Sequence, residues 1–178
     1  MGYSMKRIAI IGSGGSGKST LARKLGTKLD IEVHHLDALL WKPNWQPTSK
    51  EEQIKVQQEL VKKEKWIIDG NYNGTMDIRL TEADTVIFLD FNRLLCTYRS
   101  LKRIIQYRNR ERPDMAEGVK ERFDLNFIKW IWNYPKEIRP IVMKRLGNLP
   151  KDKTIIILKS PKEAQRFLEN NYVRNEEA

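Results

Sequence analysis

Ile8-Ala9-Ile10-Ile11 runs without a polar break into Gly12-Ser13-Gly14-Gly15-Ser16-Gly17-Lys18-Ser19-Thr20. The spacing is G-x-x-x-x-G-K-[ST], placed between a strand-like apolar run and an amphipathic helical segment, the context that gives the pattern its meaning. Gly12, Gly14, Gly15 and Gly17 allow a tight loop whose N–H groups turn inward, a cradle that side chains would obstruct. The helix that follows adds unpaired N–H donors and a partial positive charge, which favour an anion. Lys18 can reach the outer phosphates of a nucleotide, and the Ser19 hydroxyl can ligate Mg²⁺. The motif predicts a nucleoside triphosphate site built from residues 12–20, with ATP and Mg²⁺ as the expected ligands.

The rest of the chain narrows the class. Its 178 residues suffice for one domain with a substantial core, and no linker rich in Gly, Ser or Pro divides it. No run approaches the roughly eighteen apolar residues of a membrane span, and nothing near Met1 resembles a signal peptide. The single Cys96 cannot form an internal disulfide. A cytoplasmic, membrane-free protein is the expectation. The formal net charge of +10 is unevenly placed: Arg93 to Arg122 carries nine Lys/Arg against four Asp/Glu, and Lys129 to Lys153 seven against two. Such bias attracts polyanions, so it suits both a phosphate-handling enzyme and a weak, nonspecific nucleic-acid binder.

In chain order, strands are expected at Met5–Ile11, Ile31–Leu36, Lys65–Asp69, Asp84–Asp90 and Thr154–Leu158. The first helix buries Leu21, Ala22, Leu25 and Leu29. A second begins at the capping box Ser49/Glu52, and Pro161 opens the last. Asp37, just beyond the second strand, precedes Trp41, Pro43 and Trp45. It is read either as orienting or deprotonating an acceptor hydroxyl or as a cap in a packed loop. His34 and His35 read as structural, and Arg79 falls in a polar connection. Arg93–Arg110 reads as a helix with Leu94, Leu101, Ile104 and Ile105 inward and Arg99 and Arg103 sharing another face. The stretch around 108–122, carrying Arg112, reads as a short basic lid. Phe123, Phe127, Trp130, Ile131 and Tyr134 recur at helical spacing and read as core, and 170–178 as a frayed tail. The expected fold is α/β: a three-layer domain with a five-stranded parallel sheet and a short lid.

With these residues in place, the chain resembles the small P-loop kinases related to adenylate kinase. More narrowly, it is similar to the bacterial DNA topology modulation proteins, through Leu36-Asp37-Ala38-Leu39-Leu40-Trp41-Lys42-Pro43-Asn44-Trp45, Trp66-Ile67-Ile68-Asp69-Gly70-Asn71-Tyr72 and Arg112-Pro113-Asp114-Met115. The resemblance implies a nucleoside-monophosphate-kinase-like fold. It implies that Asp69 holds magnesium through water and that Arg99 and Arg103 grip phosphates beside the lid. The Asp-Gly-Phe-Pro-Arg signature of adenylate kinases is Asp69-Gly70-Asn71-Tyr72-Asn73 here, and the long lid insertion is absent, so AMP is not implied as acceptor.

Two functions follow as expectations. The first is a kinase that moves the γ-phosphoryl group of ATP to a small-molecule or nucleotide acceptor. In it Lys18, Asp37, Arg99, Arg103 and Arg112 carry the chemistry, and Ser19 with Asp69 serves the metal. The second is a nucleotide-switched, DNA-binding regulator without turnover.

Overall fold

The computed structural model describes residues 5–108 and 110–173. A five-stranded parallel sheet forms from β1 (Arg7–Gly12), β2 (Val33–His35), β3 (Trp66–Asp69), β4 (Thr85–Leu89) and β5 (Thr154–Leu158), in the order β2-β3-β1-β4-β5. Central β1 pairs Ile8 with Ile67 and Thr85, and Ile10 with Asp69 and Ile87. The strand order reverses around β1, so the segments leaving β1 and β3 meet at the crevice where ligands bind in open α/β sheets.

Strand alternation divides the core into two faces. Ile8, Ile10, Ile67 and Ile87 pack on Leu21, Ala22 and Leu25 of α1 (Lys18–Leu29), with Leu168 of the terminal helix Pro161–Val173. Ala9, Ile11, Ile68 and Phe88 face the opposite layer. That layer contains α2 (Leu36–Leu40), α3 (Lys50–Val61) and α4 (Met76–Glu82), whereas α5 (Arg93–Gln106) and α6 (Leu125–Glu137) add Cys96 and Ile131 to the α1 side, with Tyr134 of α6 reaching the opposite one. α7 (Arg139–Gly147) contributes Val142 and Leu146 to the same face as α2, and the terminal helix is α8. Each fully buried Ile or Leu contributes about 1.5–3 kcal/mol, which makes this double-sided sheet the frame for the loops above it.

Several local expectations change. The second strand ends at His35, and Leu36–Leu40 is helical because Leu36 and Leu40, one turn apart and both 0% exposed, anchor it to the sheet. Asp37 therefore rides on a helix, not a strand end. Trp41–Lys42 and Gln46–Pro47 form a short antiparallel ribbon around the turn Pro43–Trp45. In α5 the inward residues are Cys96, Ser100 and Ile104, whereas Leu94, Leu101 and Ile105 are exposed. The thin side faces inward because α5 presses against the phosphate loop: a methyl group on Gly15 would overlap the Cys96 carbonyl and the Ser100 hydroxyl. Ile131 and Tyr134 are core residues of α6, Phe127 and Trp130 are half-buried, and Phe123 is exposed ahead of the helix. α8 continues to Val173, so the start of the expected tail is helical; 174–178 lie outside the described residues. Among the described residues no helix is long and apolar enough to cross a membrane.

Candidate functional site

The loop between β1 and α1 has the shape its glycines permit. Gly15 and Gly17 adopt φ of 74° and 94°, the left-handed region costly for other residues. Gly17 caps α1 without any side-chain hydrogen bond, which leaves first-turn N–H groups of the helix for a ligand. Ser16 Oγ donates to Ser13 O at 2.7 Å, bracing the turn. Lys18 folds back across it, its Nζ donating to Gly12 O at 2.9 Å and Ser13 O at 2.8 Å. Burial lowers the Lys18 pKa, with Asp37 and Asp69 opposing the shift.

Behind the loop lies a polar platform from the end of β3. Asp69, 3% exposed, accepts from Ser19 Oγ at 2.8 Å, and its other oxygen is 2.6 Å from His35 Nδ1. Burial opposes a charged His35 ring, but the hydrogen bond and charge of Asp69 outweigh it and raise the His35 pKa. Gly12 N donates to Asn71 Oδ1 at 3.2 Å, tying the loop to the same segment. Beneath it, fully buried Arg79 donates to Gln57 Oε1 at 2.8 Å, to Gly70 O at 2.7 Å and to Asn71 O. Gln57, also 0% exposed, donates to Thr75 Oγ1 at 2.6 Å. Arg79 is thus a buried brace of α4 and not part of an irregular connection. Its three acceptors fix the backbone that presents Asp69, Asn71 and Tyr72.

A cavity of about 940 Å³ opens above the platform. Gly14 to Thr20 line one side, while Gly12 and Ser13 are buried behind it. Asp37 faces the cavity and accepts from Tyr72 Oη at 3.0 Å; burial raises its pKa against the pull of Lys18 and Tyr72. Arg99 and Arg103 enter from α5, one turn apart, with Arg99 over the Phe91 ring at 6.0 Å. Arg103 Nε and Arg112 Nε lie 3.4 and 2.9 Å from the same Glu121 oxygen, contacts of charge without hydrogen-bond alignment.

Residues 110–122 close the top. Trp45 Nε1 donates to Lys120 O at 2.8 Å, and Arg122 lies over the Trp45 ring at 5.2 Å. Glu121 N donates to Arg110 O at 2.9 Å, and Arg112 is only 8% exposed. Asn44, Trp45 and Tyr72 all have positive φ, so backbone strain gathers around the cavity.

Every residue singled out from the sequence falls in or directly beneath this cavity. His35, Asn71, Arg79 and Glu121 were not singled out for the site; the one sequence hint was a carboxylate, Glu121, set in the basic stretch that carries Arg103 and Arg112. The oxygen donors suit magnesium, which takes one or two protein carboxylates plus substrate phosphates and water. Ser19 and Asp69 offer that set, and among the described residues no group of three or more His, Cys, Asp or Glu is placed to cage a metal by itself.

No protein-family model matches the chain and no curated protein matches it by sequence, so the narrower likeness to topology modulation proteins rests on its motifs alone. Solved structures do match. Shikimate kinase from Acinetobacter baumannii, in complex with shikimate, superposes with a TM-score of 0.63 at 16% identity over 95% of this chain and 92% of that one. Shikimate kinase from Bacteroides thetaiotaomicron gives 0.60 at 15% identity, covering 97% and 99%. Deoxyadenosine kinase from M. mycoides, with the products dCMP and dCDP, gives 0.50 at 16% identity, covering 96% and 98%. The chain therefore has the fold of the small-molecule and nucleoside P-loop kinases.

Proposed function

We propose that this chain is an ATP-dependent kinase acting on a small acceptor. The observation that carries the reading is one cavity with the phosphate loop on one wall and a half-buried carboxylate, Asp37, within electrostatic reach of Lys18 on another. The loop N–H groups and Lys18 would bind the β- and γ-phosphates, exchanging the carbonyl contacts of Lys18 for phosphate oxygens. Arg99, which has no ion-pair partner among the described residues, would neutralise charge on the transferring group, with Arg103 and Arg112 beyond it. Ser19 and Asp69 would hold Mg²⁺, which when bound offsets the phosphate charge. Asp37 orients the acceptor and takes its proton as the acceptor oxygen bonds to the γ-phosphorus and the bond to the bridging oxygen breaks, its electron pair leaving on ADP.

The test is transfer from labelled ATP across nucleosides, nucleoside monophosphates and small alcohols, run beside calorimetric ATP binding. Lys18→Ala is expected to weaken ATP binding and abolish transfer while the protein stays folded, because its ammonium serves the ligand and not the core. Unchanged ATP affinity and turnover in the folded variant would refute the proposal.

A further inference from the structure

The cavity is not evenly charged. On the loop wall, Lys18 donates only to carbonyls, and Arg99 is uncompensated among the described residues. Across from it, Arg103 and Arg112 converge on Glu121, and Arg112 also lies 3.9 Å from Asp114 Oδ2. Asp37, Asp114 and Glu121 all line the space. Once Lys18 and Arg99 serve the triphosphate, the far wall presents these three carboxylates to two guanidiniums. The other cations lining the cavity, Arg23, Lys24 and Arg122, are solvent-exposed. A phosphate dianion beside Asp37 would meet a like charge, while the two guanidiniums of that wall already face Glu121 and Asp114 and the remaining cations, Arg122 over Trp45 among them, are screened by solvent.

The remaining wall is aromatic. Trp41 and Trp45 meet edge to face at 5.5 Å, next to the Tyr72 hydroxyl that orients Asp37. Such a surface takes the face of a ring and leaves Asp37 to the edge that carries a hydroxyl. We infer that the acceptor is an uncharged, ring-bearing alcohol, the chemistry shared by nucleosides and cyclic sugars, and not a phosphate monoester. The inference rests on the kinase reading above and goes further in excluding nucleoside monophosphates as the preferred acceptors.

The experiment uses matched pairs on the full chain: a nucleoside against its 5′-monophosphate, and a cyclic sugar against its phosphate. Each is assayed for transfer from ATP and, separately, for calorimetric binding to the protein loaded with ADP and Mg²⁺. The uncharged member of at least one pair is expected to exceed its phosphate at least tenfold in both kcat/KM and affinity, and which pair responds tells nucleoside from sugar. Asp37→Asn should cut transfer to the uncharged member about a hundredfold or more, the usual reach of general-base catalysis. The same variant should narrow the gap in binding between the pair, since the repelling charge is gone. Preference for the phosphorylated member, or binding and transfer with neither member of any pair in protein that binds ATP, overturns the inference. Failure to bind ATP at all instead overturns the kinase reading.

Discussion

Replacing Arg79 with leucine tests whether the buried brace organises the site. The guanidinium serves three buried acceptors, Gly70 O, Asn71 O and Gln57 Oε1. Stranding each costs about 1–3 kcal/mol, while releasing a charge from the interior returns part of that sum. A net loss of about 2–4 kcal/mol is expected, which for a chain of this size lowers the melting temperature by about 5–15 °C. Arg79→Lys should lose stability as well, because one ammonium cannot span acceptors contributed by α3 and by the turn after β3. The functional consequence passes through Asn71, whose side chain accepts from Gly12 N of the loop, and through Tyr72, which donates to Asp37. ATP binding should therefore weaken about tenfold, equivalent to about 1.4 kcal/mol, even at temperatures where the variant is fully folded. Urea unfolding with calorimetric ATP titration measures both effects. A variant that unfolds at the wild-type urea concentration and binds ATP with wild-type affinity would refute the bracing role.

Other substitutions probe separate contacts. Gly15→Ala should destabilise the protein more than Gly17→Ala: both carry left-handed strain of about 1–3 kcal/mol, but only Gly15 would also meet the Cys96 carbonyl and Ser100; equal urea midpoints would contradict the close approach of α5. For His35, the folded pKa is raised above 6.5, so its ion pair with Asp69 contributes fully below about pH 6.5 and fades as pH rises through the folded value. The stability difference between wild type and His35→Gln should shrink from pH 6 to pH 8.5, and a gap constant across that range would show that His35 does not titrate there. Trp45→Phe keeps a ring for Arg122 but removes the bond to Lys120 O, so trypsin should cut faster within 108–122; an unchanged cleavage rate would show that this bond does not pin the segment.

Much of the frame was legible in the linear chain because it rests on short-range rules. The phosphate loop follows from glycine spacing between a strand and a helix, and β5 and the capping bond from Glu52 N to Ser49 Oγ at 3.2 Å fall where local pattern puts them. Asp37 is picked out by its place after the second expected strand and Arg99 with Arg103 by helical spacing, whereas the roles expected of Asp69, Arg99 and Arg103 come from the resemblance to the small P-loop kinases and not from local pattern. Tertiary packing decided the rest. Periodicity assigned Leu94, Leu101 and Ile105 of α5 to the interior, yet close approach to Gly15 selects the thin side with Cys96 and Ser100. No local pattern reveals that Arg79 will be buried, since its acceptors come from α3 and from the turn after β3. The charge of the cavity wall facing the phosphate loop likewise depends on Glu121 reaching both Arg103 and Arg112. A run of basic residues reads as a surface for polyanions until folding sets a carboxylate against them. Electrostatic balance is a property of distances in space, and the chain order does not contain those distances.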